Sequence, residues 1–393
     1  MKAKYKKCLG HIERYWDKAT FKSTKDGRQR LGLPKAYVSP NDSRFGRDQF
    51  YWDSYFIILG LVEAGRIDLA KGMIDNFVFL FDKLGFVPVR NTFSNLTISQ
   101  PPFLTSMALE VFRYDQDKKW LARVAKAAER ELKDYWQDKF GTDEQWPKHL
   151  LPNGLSRYAG SYRTSFLAEY ESGWDETSRF QDRCLDFAPI DLNSLLYKYE
   201  RDLATMHDIL NDTKRKNAFL KAAERRKSLV NEHCWNKRKG FFFDYDHKKG
   251  KVSRFYSLAG FYPLWAGLAS KEQSEAMMKN LKRFEYRHGL SNTQRRGLKK
   301  PRRQWDHPNG WPNQQWIVIK GLLNYGHYCE AGRLTEKWLD LNLKVFEETG
   351  KMWEKYDVVK GAVGHGDYRY ETQAGFGWTN AVFLRLCKEF DLE

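Results

Sequence analysis

The chain has 393 residues, 41% of them hydrophobic and 16% aromatic, with a formal net charge of +17. That length holds one large domain or two average ones and can bury a sizeable core, while the lack of any apolar run near ~20 residues excludes helical membrane spans. The 67 Lys and Arg against 50 Asp and Glu are spread along the chain, densest at 236–240 and 295–303 without any nucleic-acid fold motif, so neither a nucleic-acid nor a membrane partner is expected.

From the N-terminus, MKAKYKKCLGHIERYWDKAT is basic but leads into no apolar signal segment. Apolar residues at 3.6-residue spacing then predict helices over about 54–65 and 67–83, joined by EAGRID, and over about 103–114 and 121–136. In the last of these, Leu121, Val124, Ala125, Ala128, Leu132, Tyr135 and Trp136 mark one face. The pattern recurs over about 191–210, 214–233, 258–269, 271–283, 313–329, 331–347 and 376–390. GFFFDYD (240–246) alone reads as strand, which allows at most a small hairpin there. The helices come in sequential pairs with short links, and no Pro/Ser-rich linker or fixed-period repeat interrupts them. The expectation is an all-α chain, one domain over 1–393, built as a toroid of helical hairpins with its long loops around a pocket at one end. Cys8, Cys184, Cys234, Cys329 and Cys387 show neither CxxC nor Cys/His metal spacing, so the expectation is reduced thiols, a cytoplasmic location and no metal.

Five loop segments gather acids and aromatics: RFGRDQFYWDSY (44–55), VRNTFSNLTISQPP (89–102), YESGWDETSR (170–179), QWDHPNGWP (304–312) and 353–380, from WEKYD to GFGWTN. Flat apolar rings beside fixed polar groups suit a sugar, which has CH-rich faces and a rim of hydroxyls. Trp-Asp pairs stand at 52–53, 174–175 and 305–306. An apolar pocket raises a carboxyl's pKa and so suits a general acid. Glycoside cleavage needs two carboxyls on opposite faces of a sugar, and Asp175 and Glu354 both lie in aromatic loops. Each feature also has a plainer reading. Asp53 can cap a helix. Asp306 can hold its own loop rigid. GFGW can be a tight turn into a helix, and Glu354 can pair with Lys355 at the surface.

Taken together, LPKAYVSPNDSRFGRDQFYWDSY, SQPP (99–102), ESGWDETSRF (171–180), IDLNSLLYK (190–198), HCWNKRKGFFFDYD (233–246), QWDHPNGWPNQQW (304–316), EKYD and QAGFGWTNAV occur in an order that resembles the inverting trehalases, glycoside hydrolase family 37, over nearly the whole chain. The resemblance implies an (α/α)6 barrel, no cofactor, a small sugar as substrate, and hydrolysis of trehalose, or of another α-glucoside such as trehalose 6-phosphate, kojibiose or glucosylglycerate. It implies that Asp175 is the general acid and Glu354 the general base. It places Trp52, Asp53, Gly173, Gln304, Trp305, Asp306, Trp311 and Trp378 around a glucose, with Phe45 and Gln100 from their own motifs. Arg44 and Arg163 are the carried-over arginines. The family's PGGRF reads SPNDSRF here, so Arg47 competes with Arg44, and Asp48 stands where Glu is usual. The arginine expected just before SQPP is Ile98, with Arg90 as the nearby substitute. Asp367 or Glu371 takes the place of a glutamate in the family's Gly-rich lid. The rival to hydrolysis is a non-catalytic toroid that binds sugar or nucleic acid.

Overall fold

The apolar periodicity becomes two nested rings of helices in the computed structural model, which describes residues 2–137, 148–161, 164–295, 303–366 and 370–392. In chain order the α-helices are α1 (Lys6–Ala19), α2 (Tyr51–Glu63), α3 (Ile67–Leu84), α4 (Leu104–Asp115), α5 (Lys118–Arg130), α6 (Ser165–Glu171), α7 (Ile190–Ile209), α8 (Thr213–Cys234), α9 (Tyr262–Trp265), α10 (Lys271–Leu281), α11 (Pro312–Asn324), α12 (Tyr328–Thr349) and α13 (Gly377–Glu389). Helices α2, α4, α7, α9, α11 and α13 touch in that order, and α13 returns to α2, closing an inner ring. Helices α1, α3, α5, α8, α10 and α12 lie outside it, and α6 sits in the loops at the mouth.

The rings follow from where apolar residues fall. Every residue of α2 from Tyr51 to Val62 is buried, and from Tyr55 to Val62 all but Gly60 are apolar or aromatic, which suits an interior position. The outer α5 instead buries the stripe Trp120, Leu121, Val124, Ala125, Ala127 and Ala128 and turns its Lys and Arg to solvent. Close packing of α2 on α13 requires Gly60, because a Cβ there would meet the Ala381 Cα at 2.6 Å. Beneath the mouth, Tyr55 stacks on Phe103 with ring centroids 4.6 Å apart, and Trp265 packs against both.

Some elements differ from expectation. Helix α1 forms on the apolar stripe Cys8, Ile12, Tyr15, Trp16 and Ala19, inside a segment whose charge hides its periodicity. The helix expected through 136 changes to a π-helix at Glu131–Trp136, where Glu131 turns inward. The helix expected over 258–269 is a 3-10 turn, Leu258–Phe261, followed by the four-residue α9. Two-residue strand pairs are more numerous than the single hairpin near 240–246. One three-stranded sheet joins 309–310, 356–357 and 362–363 in antiparallel register, Gly310 opposite Tyr356. No helix among the described residues is long and apolar enough to cross a membrane.

Glu131 is fully buried and accepts hydrogen bonds from the hydroxyls of Tyr51 (2.8 Å) and Tyr199 (2.6 Å), tying α2 and α7 together. Burial pushes its carboxyl from an ordinary 4.5 up to about 7. The unfolded chain therefore releases this proton first as pH rises, and the stability it carries is full below about pH 4.5 and lost by about pH 7. Urea unfolding of the parent and Glu131→Gln should show the parent's stability falling relative to the variant across this range, by on the order of 3 kcal/mol. Parallel pH profiles would remove Glu131 as the cause.

Candidate active site

The loops that lead into the inner helices converge on a cavity of about 220 Å³ at one end of the barrel. Trp52 and Asp53 reach it from the first turn of α2, Gln100 from the segment before α4, and Gly173 and Asp175 from the loop after α6. Trp305 and Trp311 come from the loop before α11, Glu354 from the loop after α12, and Trp378 from the first turn of α13. Pro312 at the start of α11 presets the helical backbone and leaves Trp311 extended at the N-cap.

The tryptophans form one packed wall. Trp305 stacks on Trp311 with centroids 3.9 Å apart and planes 5° from parallel. Trp52 and Trp174 tilt against Trp305 at 5.6 and 5.3 Å, and Trp378 meets Trp52 and Trp311 edge-on. Offset stacks and edge-to-face pairs of this kind each contribute about 0.5–1.5 kcal/mol beyond area burial. The wall is fixed from behind, since the Trp311 indole N–H and the Asn309 amide both donate to the Gln304 carbonyl, at 3.0 and 2.9 Å. Gly173 closes the approach of Trp52. Its φ is +72°, and a Cβ there would lie 2.5 Å from the Trp52 ring.

Three carboxylates share the cavity. Glu354 is 2% exposed, and its Oε2 lies 2.6 Å from the Lys355 Nζ, while the Tyr370 hydroxyl donates to Oε1 at 3.0 Å. Lys355 is itself fully buried, with its ammonium over the Trp311 ring at 4.6 Å. The Glu354–Lys355 pair is thus an interior pair against the tryptophan wall, not the surface pair of the plainer reading. The Trp378 indole donates to the Glu354 carbonyl at 3.1 Å and fixes the backbone there. Burial, followed by the charges of Glu354 and Asp175, holds Asp53 well above the ordinary carboxyl range. Phe50, not Asp53, occupies the N-cap of α2.

Asp175 is held through its loop. The Glu169 carboxylate accepts from the amides of Glu176 (3.0 Å) and Thr177 (3.1 Å), directly after Asp175. Asp306 accepts from the Thr177 hydroxyl and the Ser178 amide, both at 3.0 Å. The Gln304 side-chain amide donates to the Asp175 carbonyl at 3.3 Å. Burial pushes Glu169 up to about 8.

Of the expected site residues, Arg44, Phe45, Trp52, Asp53, Arg90, Gln100, Gly173, Asp175, Trp305, Trp311, Glu354 and Trp378 line the cavity. Gln304 and Asp306 do not; they stand behind the wall and spend their polar groups on the 175–178 loop, which is the plainer reading of Asp306. Arg47 is also off the cavity. It is exposed, with φ +70° in the turn that follows Phe45, and that turn sends it away from Arg44. Glu371 is exposed as well, and Tyr370 beside it lines the cavity instead. Arg163 and Asp367 lie outside the described residues. Pro40, Phe50, Tyr170, Tyr370 and Phe376 line the cavity without having been singled out. Phe50, Tyr170, Tyr370 and Phe376 stand inside the aromatic segments, so aromatic density in the loops was the available signal for them, while Pro40 stands four residues before the first. Among the described residues no three His, Cys, Asp or Glu side chains gather as metal ligands would.

Comparison with known proteins agrees with this fold. The trehalase family model matches residues 2–170 and 161–391. The cytosolic neutral trehalase of Kluyveromyces lactis is 34% identical over 96% of this chain, and the chain spans 58% of that protein's length. The periplasmic trehalase of Escherichia coli O1:K1 is 32% identical over 96% of the chain and 73% of its own length. The structure of the neutral trehalase Nth1 from Saccharomyces cerevisiae superposes with a TM-score of 0.78 at 30% identity, covering 90% of this chain and 73% of that one. A mannosylglycerate hydrolase of family GH63 from Thermus thermophilus has the same fold, with a TM-score of 0.70 at 20% identity and coverage of 96% and 99%.

Gly173→Ala adds a Cβ where the backbone is left-handed and the Trp52 ring is in contact. It should destabilise the protein by about 2–3 kcal/mol, read as a lower urea midpoint with an unchanged slope. A midpoint equal to the parent's would mean that the loop retreats from Trp52 at no cost.

Proposed function

The chain belongs to the trehalase family, and on that premise we propose that it is an inverting α-glucoside hydrolase that cleaves trehalose into two glucose molecules, the whole chain acting as one catalytic domain. The observation that carries the proposal is that Asp175 and Glu354, remote in sequence, line one tryptophan-walled cavity. At about 220 Å³ the cavity falls below the ~300–1,000 Å³ of pockets for drug-sized ligands, which suits one hexose rather than two. The second sugar then extends toward Arg44, Phe45 and Arg90.

In this reading Asp175 gives its proton to the bridging oxygen as the C–O bond breaks. Glu354 takes a proton from a water that attacks the anomeric carbon from the opposite face. Such a pair stands ~6.5–9.5 Å apart, leaving room for the water. Lys355 offsets the buried negative charge of Glu354, and the oxygens that bond Lys355 and Tyr370 keep further lone pairs for the water. Asp53, with its proton held by burial, donates a hydrogen bond to a sugar hydroxyl. Arg44 and Arg90 serve the leaving sugar, and Arg163 and Asp367 are candidates to join them on substrate binding, whereas Arg47 and Glu371 stand off the cavity. Gln304 and Asp306 act through the loop they brace. The scattered cysteines favour a cytoplasmic location, and relatives carry both cytosolic and periplasmic names.

The raised Asp53 supports a second reading in which Asp53 is the acid. Asp175→Asn and Glu354→Gln should each lower kcat on trehalose by about 10²–10⁴-fold. α-Glucosyl fluoride, whose leaving group needs no proton, should still be cleaved by Asp175→Asn. If Asp53→Asn instead shows that selective rescue, the acid is Asp53. Early proton NMR of the parent reaction should show β-glucose and α-glucose together, and α-glucose alone would rule out inversion.

A further inference from the structure

Beside the sugar cavity lies a larger pocket of about 640 Å³, and the two share Arg44, Phe45 and Arg90 as a common wall. The outer pocket brings four guanidinium groups, Arg28, Arg30, Arg44 and Arg90, to one concavity in which Asp48 is the single carboxylate among the described residues. These arginines come from three separate stretches of chain, so they are not the solvated face of one helix.

Asp48 is already fully used. It is 1% exposed, and Arg30 Nε and Arg90 Nη1 reach its two oxygens at 2.5 and 2.9 Å while the Thr92 hydroxyl donates at 3.1 Å. Arg90 is held further by Asn95 Oδ1 at 2.9 Å and lies over the Phe50 ring. Two arginines are therefore planted in fixed directions around one negative charge. The other two, Arg28 and Arg44, have no carboxylate partner among the described residues, and Arg44 packs over the Phe45 and Tyr370 rings instead. A structural ion-pair cluster would balance its charges. This one keeps an excess of positive charge in a concave, partly pre-organised set of guanidinium forks, the arrangement that recognises phosphate or carboxylate by paired N–H bonds.

We propose that the outer pocket is a binding site for a compact oxyanion of the phosphate or carboxylate class. Because Arg44 and Arg90 face both pockets, an anion here sits next to the leaving end of a sugar in the cavity. It is either a group carried by that sugar, which rests on the hydrolase reading, or a free anion, which does not.

Inorganic phosphate titrated by calorimetry against chloride of matched ionic strength is the direct test. Phosphate should bind, and Arg28→Glu should weaken it by about 10-fold or more, with Arg28→Ala in between at about 5-fold. Trehalose kinetics should be unchanged in both variants, since Arg28 lies outside the sugar cavity. A substrate-borne anion predicts a lower KM for trehalose 6-phosphate than for trehalose, and this advantage should vanish in Arg28→Glu. A free anion predicts that trehalose 6-phosphate has no advantage while phosphate competes with trehalose. Phosphate binding no better than chloride, or binding Arg28→Glu as well as the parent, overturns the proposal. If no sugar is cleaved, the hydrolase reading fails, and the phosphate titration still decides the anion site.

Discussion

Asp306 joins the two loops on which the cavity depends. Its carboxylate reaches across 128 to 129 positions of sequence to the Thr177 hydroxyl and the Ser178 amide. The same loop pairs Gly310 with Tyr356, two residues past Glu354. A short series of rigid links therefore runs from Asp175 to Asp306, through Trp311, and on to Glu354. On the proposed reading the two groups act on opposite sides of one ring and need a fixed separation, since a misplacement of about 1 Å can cost 10²-fold in rate. Loops fixed separately to a barrel could not hold that distance; loops bonded to one another can.

The surroundings of this linkage are unusually charged for an interior. Arg179, one residue past Ser178, is fully buried between Asp191 and Asp244, with four N–H···O contacts of 2.6–2.9 Å. Glu171, also fully buried, accepts from the Tyr135 hydroxyl and the Ala159 and Gly160 amides and lies against His149. Buried pairs like these are weak sources of net stability, yet losing one partner costs about 3–5 kcal/mol. Their effect is directional. Each carboxylate offers fixed lone pairs to named backbone amides, which an apolar side chain of equal size cannot do. The loop carrying Asp175 is thus positioned by groups that stabilise the fold little for their number.

Most helices of both rings were legible in the sequence, the inner α4, α7 and α13 as closely as the outer α3 and α8. Outer helices such as α5 bury one face, and their 3.6-residue pattern is visible. The inner α2 is buried on every face, so periodicity could not mark its start, and the helix begins at Tyr51 rather than near 54. Helix α1 was hidden by its Lys and Arg, and the seven-residue α6 is too short for a pattern. At the site, aromatic loops with acids were visible as sugar-binding material. The division of labour within QWD was not, because Trp305 faces the cavity while Gln304 and Asp306 face a loop more than a hundred residues earlier. Adjacent residues pointing to different partners leave no trace in composition. Arg47 competed with the carried-over Arg44 for the same reason, and the left-handed turn at Arg47 separates them.

On the proposed reading, the shape of the cavity limits what can be cut there. Below Trp52 the barrel axis is filled by Phe56, Tyr55, Phe103, Trp265 and Trp316, none more than 5% exposed. Tyr55 and Phe103 stack with planes 14° apart, and Trp316 donates its indole N–H to the Tyr55 hydroxyl. A sugar in the cavity meets this floor and cannot thread through it. Cleavage inside a long glycan would need an open path on both sides of the cleaved bond, and among the described residues the cavity opens on the side of the outer pocket. On the proposed reading the enzyme therefore removes a terminal glucose from a substrate whose remainder stays near the mouth. The arginines that crowd that mouth then face the leaving group, so they bear on which glucoside is cleaved while the tryptophan wall and the carboxylates bear on how.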